Sequence, residues 1–259
     1  MAKTALVTGA AKRLGRSMAL YLADRGFDVA IHYAGSKDDA EQLASEISEA
    51  NGVAKTFQAD LINEDEIQAL FPRVVDAFKG PVTCLVNNAS VFEYDNIHTA
   101  TRNSWDRHLQ SNLRAPVVLT QMMAAQGMTA TTDQRGEPEA SGLVVNMLDQ
   151  RVRKLTPEFT SYTIAKMALW AFTQTSARAL APHIRVNAIG PGPTLIGANQ
   201  SQQHFENQRS ATVLKRGSNP KDITAALGYF LDAPSVTGQL ICTDGGQHLA
   251  WQTPDIQDK

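Results

Sequence analysis

Seven short apolar, β-prone runs separated by amphipathic stretches constrain this chain more than any other feature of its sequence. The runs fall at residues 5–8, 29–33, 53–58, 82–86, 143–147, 185–189 and 239–243. Helical spacing of apolar residues fills the intervals at 14–25, 39–50, 64–78, 104–126, 159–181 and 221–231. Strand, helix and strand in repeated order read as a parallel sheet covered on both faces. With 259 residues, 43% of them hydrophobic, the chain can bury one large core, so residues 1–259 are expected to form a single domain. Two intervals break the pattern. Residues 127–142, rich in Gly, Thr, Glu and Pro, read as a surface loop, and 191–218 has no periodicity at all. A patternless stretch of that length is usually functional or mobile, and a substrate loop is expected at about 193–218, with residues 251–259 left as a tail.

Composition narrows the ligand. A net charge of −2 leaves no electrostatic footprint for nucleic acid or an anionic membrane, so a small molecule is expected. Cys84 and Cys242 lie far apart without metal-ligand spacing, which supports neither a disulfide framework nor a metal site. The apolar run at the amino terminus is too short for a signal peptide, and no run reaches the ~18 residues of a membrane span; the expectation is a cytoplasmic protein.

Two motifs carry chemistry. Thr8-Gly9-Ala10-Ala11-Lys12-Arg13-Leu14-Gly15 follows the first strand and opens the first helix, where a dinucleotide pyrophosphate meets helix amides. The expected fold class is therefore α/β, a Rossmann-like doubly wound parallel sheet of about seven strands with helices on both faces. Tyr162 and Lys166 are four residues apart and share a helix face. An ammonium beside a phenol favours the phenolate, so this spacing predicts a tyrosine of lowered pKa able to donate a proton at neutral pH. A lone carboxylate, Asp149, stands thirteen residues before the tyrosine.

Together with Asn87-Asn88-Ala89, Asn112 and Arg185-Val-Asn-Ala-Ile-Gly-Pro-Gly192, these motifs resemble the short-chain dehydrogenase/reductase family, in that family's order and over nearly the whole chain. The resemblance implies that Gly9, Leu14, Asn88 and Ala89 line the cofactor, and that Asp60 and Leu61 stand at its adenine. Pro191, Gly192 and Thr194 match the turn at the nicotinamide amide. Tyr162 becomes the proton donor, Lys166 the ribose anchor, and Asn112 the asparagine whose local helix distortion helps hold a water near the lysine. The family is commonly tetrameric, which makes a homotetramer the expected assembly and allows Trp251 to pack either on a neighbouring subunit or on its own core.

Departures from the family pattern sharpen the reading. Arg13 replaces a glycine beside the cofactor phosphates and the substrate ring. The second strand ends in Ile31-His32-Tyr33-Ala34-Gly35-Ser36, with no acid to bind a ribose 2′-hydroxyl and repel a 2′-phosphate. With Arg13, His32 and Ser36 as donors and Lys12 nearby, the expected cofactor is NADP(H); His32 and Ser36 read equally as a strand-end histidine and a helix cap. Asp149 replaces the family's serine. A carboxylate beside a developing alkoxide would raise the barrier to carbonyl reduction, whereas it suits a substrate with N–H groups or a C=N bond. Arg13, Phe92, Asp149 and Tyr162 together resemble the pteridine reductase branch, which implies a pterin or folate-like substrate stacked on Phe92 and bound by Arg13, Ser90, Asp149 and Tyr162. The alternatives are a carbonyl or 3-oxoacyl-thioester reductase, and a non-catalytic nucleotide-sensing module. The basic run Arg151, Arg153 and Lys154 reads either as a solvated loop or as an attractor of an acidic substrate tail.

Overall fold

A computed structural model describes residues 3–197 and 200–251; the expected tail at 252–259 lies outside the described residues. Strands β1 (Lys3–Val7), β2 (Phe27–Tyr33), β3 (Ala54–Gln58) and β4 (Val82–Asn87) alternate with helices α1 (Arg13–Asp24), α2 (Lys37–Glu49) and α3 (Glu64–Phe78). Then come α4 (Arg102–Leu109), α5 (Ala115–Ala124), a two-residue-strand hairpin β5 (Thr131–Thr132) and β6 (Pro138–Glu139), and β7 (Gly142–Met147). The chain continues with α6 (Thr160–Leu180), β8 (Ile184–Pro191), α7 (Gln202–Ser210), α8 (Pro220–Asp232) and β9 (Leu240–Thr243). Seven strands form one parallel sheet in the order β3-β2-β1-β4-β7-β8-β9.

Strand periodicity sends alternate residues to opposite faces. Val7, Ile31 and Val86 pack with Met18 and Leu22 of α1, Leu43 of α2 and Phe230 of α8. Leu6, Ala30 and Leu85 pack on the other face with Leu70 of α3, Leu119 and Met123 of α5 and Ala177 of α6. Both faces being buried explains why the strands are apolar throughout rather than alternating. The strand order reverses at β1, which pairs with β2 on one side and β4 on the other, and this opens a crevice at their carboxyl ends.

Two expectations need correction. The helix expected at 104–126 is broken by a π-helical turn at Gln110–Arg114 between α4 and α5. Pro116 explains the position, since it has no N–H for the carbonyl four residues earlier, that of Asn112. The patternless stretch 191–218 holds a helix, α7, which buries none of its residues and so left no periodic signal. Its order comes from polar anchors: Ser201 caps it, and the Arg209 guanidinium donates to the carbonyls of Pro193 and Ser218 at 2.9 and 2.6 Å. No helix among the described residues is long and apolar enough to cross a membrane.

Candidate active site

The crevice begins where β1 stops. Gly9 takes φ +61°, and a Cβ added there would lie 3.0 Å from the Ala89 backbone; at Gly15 an added Cβ would collide with the Gly9 carbonyl. Asn88 closes this turn from β4, donating to the carbonyls of Thr8 and Gly9 at 2.8 and 3.1 Å, while the Thr8 hydroxyl accepts the Asn88 and Ala89 amides at 2.9 and 3.0 Å. A cavity of about 530 Å³ opens beside it, walled by Gly9, Ala34, Gly35, Asp60, Leu61 and Ala89. The Asp60 carboxylate accepts the Ile62 amide at 2.9 Å.

His32 lies in this wall but does not serve as the free donor expected of it. It is buried, its Nδ1 accepts the Gly9 amide at 3.0 Å, and its Nε2 stands 3.0 Å from the Ala59 carbonyl. Both nitrogens are committed, the ring is neutral, and burial drives its pKa down to about 4. His32 is therefore a prop for the glycine turn. Ser36 stands at the α2 N-cap position without a side-chain cap bond, and Lys12 pairs with Asp39 at 2.8 Å, bringing a cation to the same end of the crevice.

A second cavity of about 320 Å³ continues from Ser90, which borders both, and brings together Arg13, Phe92, Asp149, Tyr162 and Lys166 with the Pro191–Thr194 turn. Leu14 and Asn88 also line it; Asn112 and Ser36 line neither cavity. Asn112 is fully buried in the π-helical turn behind Val91, whose amide and carbonyl it binds at 2.8 Å each. Arg13 has φ +55°, which explains why glycine is usual there, and its guanidinium donates to the carbonyls of Leu195 and Ile196 at 3.2 and 2.8 Å. It thereby ties the phosphate turn to the substrate loop. Thr194 spends its hydroxyl on the Gly192 carbonyl at 2.9 Å.

At the centre, the Tyr162 hydroxyl donates to Asp149 Oδ2 at 3.1 Å, and Asp149 Oδ1 accepts the Arg151 amide at 2.8 Å. Lys166 donates to the Met147 carbonyl at 2.8 Å and lies 5.7 Å from the centre of the Tyr162 ring. The expected lowering of the tyrosine pKa is reversed. Burial, and then the neighbouring Asp149 carboxylate, push the phenol well above its ordinary value. Burial also raises the Asp149 carboxyl and lowers Lys166 to about 8 against the pull of Asp149. The site thus keeps a proton on the phenol.

A sequence profile described as short chain dehydrogenase matches residues 3–207. The chain belongs to the short-chain dehydrogenase family. The 3-oxoacyl-[acyl-carrier-protein] reductase FabG of Staphylococcus epidermidis, a relative, is 32% identical over 254 residues, covering 96% of this chain and 100% of that protein. FolM alternative dihydrofolate reductase 1 from Brucella suis, solved in complex with NADP, is 44% identical with a TM-score of 0.88, over 98% of both chains. Its Brucella canis counterpart, also complexed with NADP, is 45% identical with a TM-score of 0.89, over 98% of this chain and 97% of that one. These two likenesses match the pteridine reductase branch that the motifs resemble.

Within this short-chain dehydrogenase, sequence reasoning missed what stands behind the pocket wall. Phe92, 55% exposed, has one face stacked on Phe159 at 4.4 Å between ring centres and meets the Tyr162 ring edge-on at 4.7 Å. Phe159 holds φ +57°, and the Arg151 guanidinium lies 4.8 Å from its ring centre. Nothing in the spacing marks Phe159, because its ring reaches Phe92 only through that left-handed backbone. Arg153 lies against Trp170 and Lys154 donates to the Ala250 carbonyl at 3.2 Å, so all three residues of the basic run have partners within the chain. Trp251 is 65% exposed. Among the described residues no group of three or more His, Cys, Asp or Glu side chains could hold a metal ion.

Proposed function

We propose that this chain is an NADPH-dependent reductase of a pterin or dihydrofolate-type C=N bond. The observation that carries the reading is the part-buried contact of the Tyr162 hydroxyl with Asp149 Oδ2 at 3.1 Å, in the cavity that also holds Arg13 and Phe92. The residues at the crevice fit the dinucleotide: the glycines at 9 and 15 let a pyrophosphate approach the amino end of α1, and the wall at Ala34 and Gly35 carries no acid against a 2′-phosphate. Lys12, paired with Asp39, and Ser36 at the α2 N-cap flank that end without lining the cavity. NADP in the two Brucella structures supports the same choice. Gly9, Asp60, Leu61 and Ala89 would hold the adenosine half, and Asn88, Tyr162, Lys166, Pro191, Gly192 and Thr194 the nicotinamide half. When bound, NADPH supplies the hydride.

The chain's own residues supply the rest. Reduction at carbon leaves an electron pair on nitrogen, and the Tyr162 O–H, kept protonated by burial, donates to it. Asp149, as the carboxylate, accepts N–H bonds from the heterocycle and orients the phenol, which regains its proton from solvent when product leaves. Phe92 provides a flat apolar wall, worth about 0.5–1.5 kcal/mol of stacking beyond area. Lys166, low in pKa, holds the ribose side of the pocket.

A second reading, reduction of a 3-oxoacyl thioester, draws on the full-length likeness to FabG. Asp149 weighs against it, because an anion at the reacting oxygen opposes the charge that develops there. NADPH consumption followed spectrophotometrically with biopterin, dihydrobiopterin, dihydrofolate and an acetoacetyl thioester decides between them. Turnover of the pterin or folate acceptors is expected, and turnover of the thioester alone would overturn the proposal.

A further inference from the structure

Helix α6 carries Tyr162 in its first turn, yet the residue before that turn provides no cap: Phe159, at φ +57°, makes no side-chain bond to the helix amides. Those amides are satisfied from a distant loop. Asp95, after β4, accepts Phe159 N–H and Thr160 N–H on its carbonyl at 2.7 and 3.4 Å, and Ser161 N–H on Oδ1 at 3.2 Å. The Ser161 hydroxyl also bonds Asp95 Oδ2, and His108 of α4 reaches that hydroxyl through Nδ1 at 2.7 Å.

The direction of this chain is fixed by one donor. The Glu93 amide donates to His108 Nε2 at 3.1 Å, so Nε2 is the acceptor and the ring proton sits on Nδ1. Nδ1–H then donates to Ser161 Oγ, and the serine proton goes to Asp95. Asp95, His108 and Ser161 are all buried, and every nitrogen and oxygen in the line has a partner. Burial pushes the Asp95 carboxyl up, but bonds from Ser161 and Ser104 outweigh it and hold the group below its ordinary value, so the anion stands at a helix amino end. With no exposure, Ser161 is not a nucleophile awaiting substrate.

The line surrounds the proton donor. The Tyr162 ring meets Phe92 edge-on at 4.7 Å and His108 at 5.9 Å. The backbone that presents Phe92 is tied to α4 twice, by the Glu93 amide on His108 and by Arg107 donating to the Glu93 carboxylate at 2.8 Å. We propose that Asp95, Ser161 and His108 are a positioning unit that fixes the spacing between the Tyr162 phenol and the Phe92 wall, so that proton donor and substrate platform are set by one buried hydrogen-bond line.

This inference rests on Tyr162 being the proton donor, and Tyr162→Phe is run beside it on whichever acceptor the wild type reduces. Ser161→Ala removes the bridging hydroxyl and keeps the capped amide. His108→Phe keeps a ring against Tyr162 and removes both bonds; it decides the question should Ser161→Ala not fold. The expected result is kcat reduced about tenfold and substrate KM raised several-fold, the scale of a small misplacement of reacting groups. NADPH affinity, read by fluorescence titration, should stay within about twofold of wild type, because the unit touches no residue of the phosphate turn. Wild-type kcat and KM in the folded variant would overturn the proposal, as would a parallel loss of NADPH affinity, which marks general destabilisation. Full activity of Tyr162→Phe would instead sink the donor assignment.

Discussion

Asp149 and Tyr162 hold a proton between two part-buried oxygens 3.1 Å apart, and each is harder to ionise than it would be in water. Removing the phenol oxygen with Tyr162→Phe is expected to cost about 10²–10⁴ in kcat, the span of general acid catalysis, while NADPH binding measured by fluorescence survives. His32 gives a prediction about stability. Its folded pKa of about 4 lies below the unfolded 6.5, so between those values the unfolded chain binds the extra proton. Stability is therefore lost as pH falls from about 6.5 to 4, on the order of 3 kcal/mol from this group. Asp149, raised by burial, works in the opposite sense over its own range, so the variant comparison matters. Urea unfolding at pH 7 and pH 4.5 should show a smaller acid loss in His32→Asn than in the wild type; equal losses would remove His32 from the account.

At the scale of elements, α1 depends on a glycine that nothing larger can replace. A methyl at Gly15 meets the Gly9 carbonyl and the Asn88 amide, both parts of the phosphate turn. Gly15→Ala should destabilise by about 1–3 kcal/mol in urea unfolding and weaken NADPH more than tenfold in titration. The strands and most helices were legible because a parallel sheet buried on both faces demands continuous apolar runs, and the runs at 29–33 and 82–86 fall within β2 and β4. Helix α7 was illegible because it buries nothing; the π-helical turn was legible only as the distortion at Asn112 that the resemblance implied, since Pro116 sits inside an apolar stretch. Arg13, Asp149, Tyr162 and Lys166 were legible through motif order. Phe159 and Asp95 were not, since each acts through a backbone conformation or a loop path that spacing does not record. His32 was left open between two readings because a strand-end histidine looks the same whether its nitrogens face a ligand or the chain.

For the molecule as a whole, the reversal of strand order at β1 sets one crevice in which the glycine turn, the wall at Ala34 and Gly35, and the aromatic pocket lie in succession. Arg13 joins the first part to the last by holding the carbonyls of Leu195 and Ile196, so Arg13→Gly should relax a left-handed backbone yet raise the KM of the reducible substrate several-fold in steady-state kinetics. On the proposed function, specificity over the scaffold falls to the carboxylate at position 149. The most direct test is the ratio of kcat/KM for dihydrobiopterin to that for an acetoacetyl thioester, in the wild type and in Asp149→Ser. A wild-type ratio far above one that falls about 10²-fold or more in the variant is the predicted result; a wild type that prefers the thioester, or a ratio unmoved by the substitution, would contradict it.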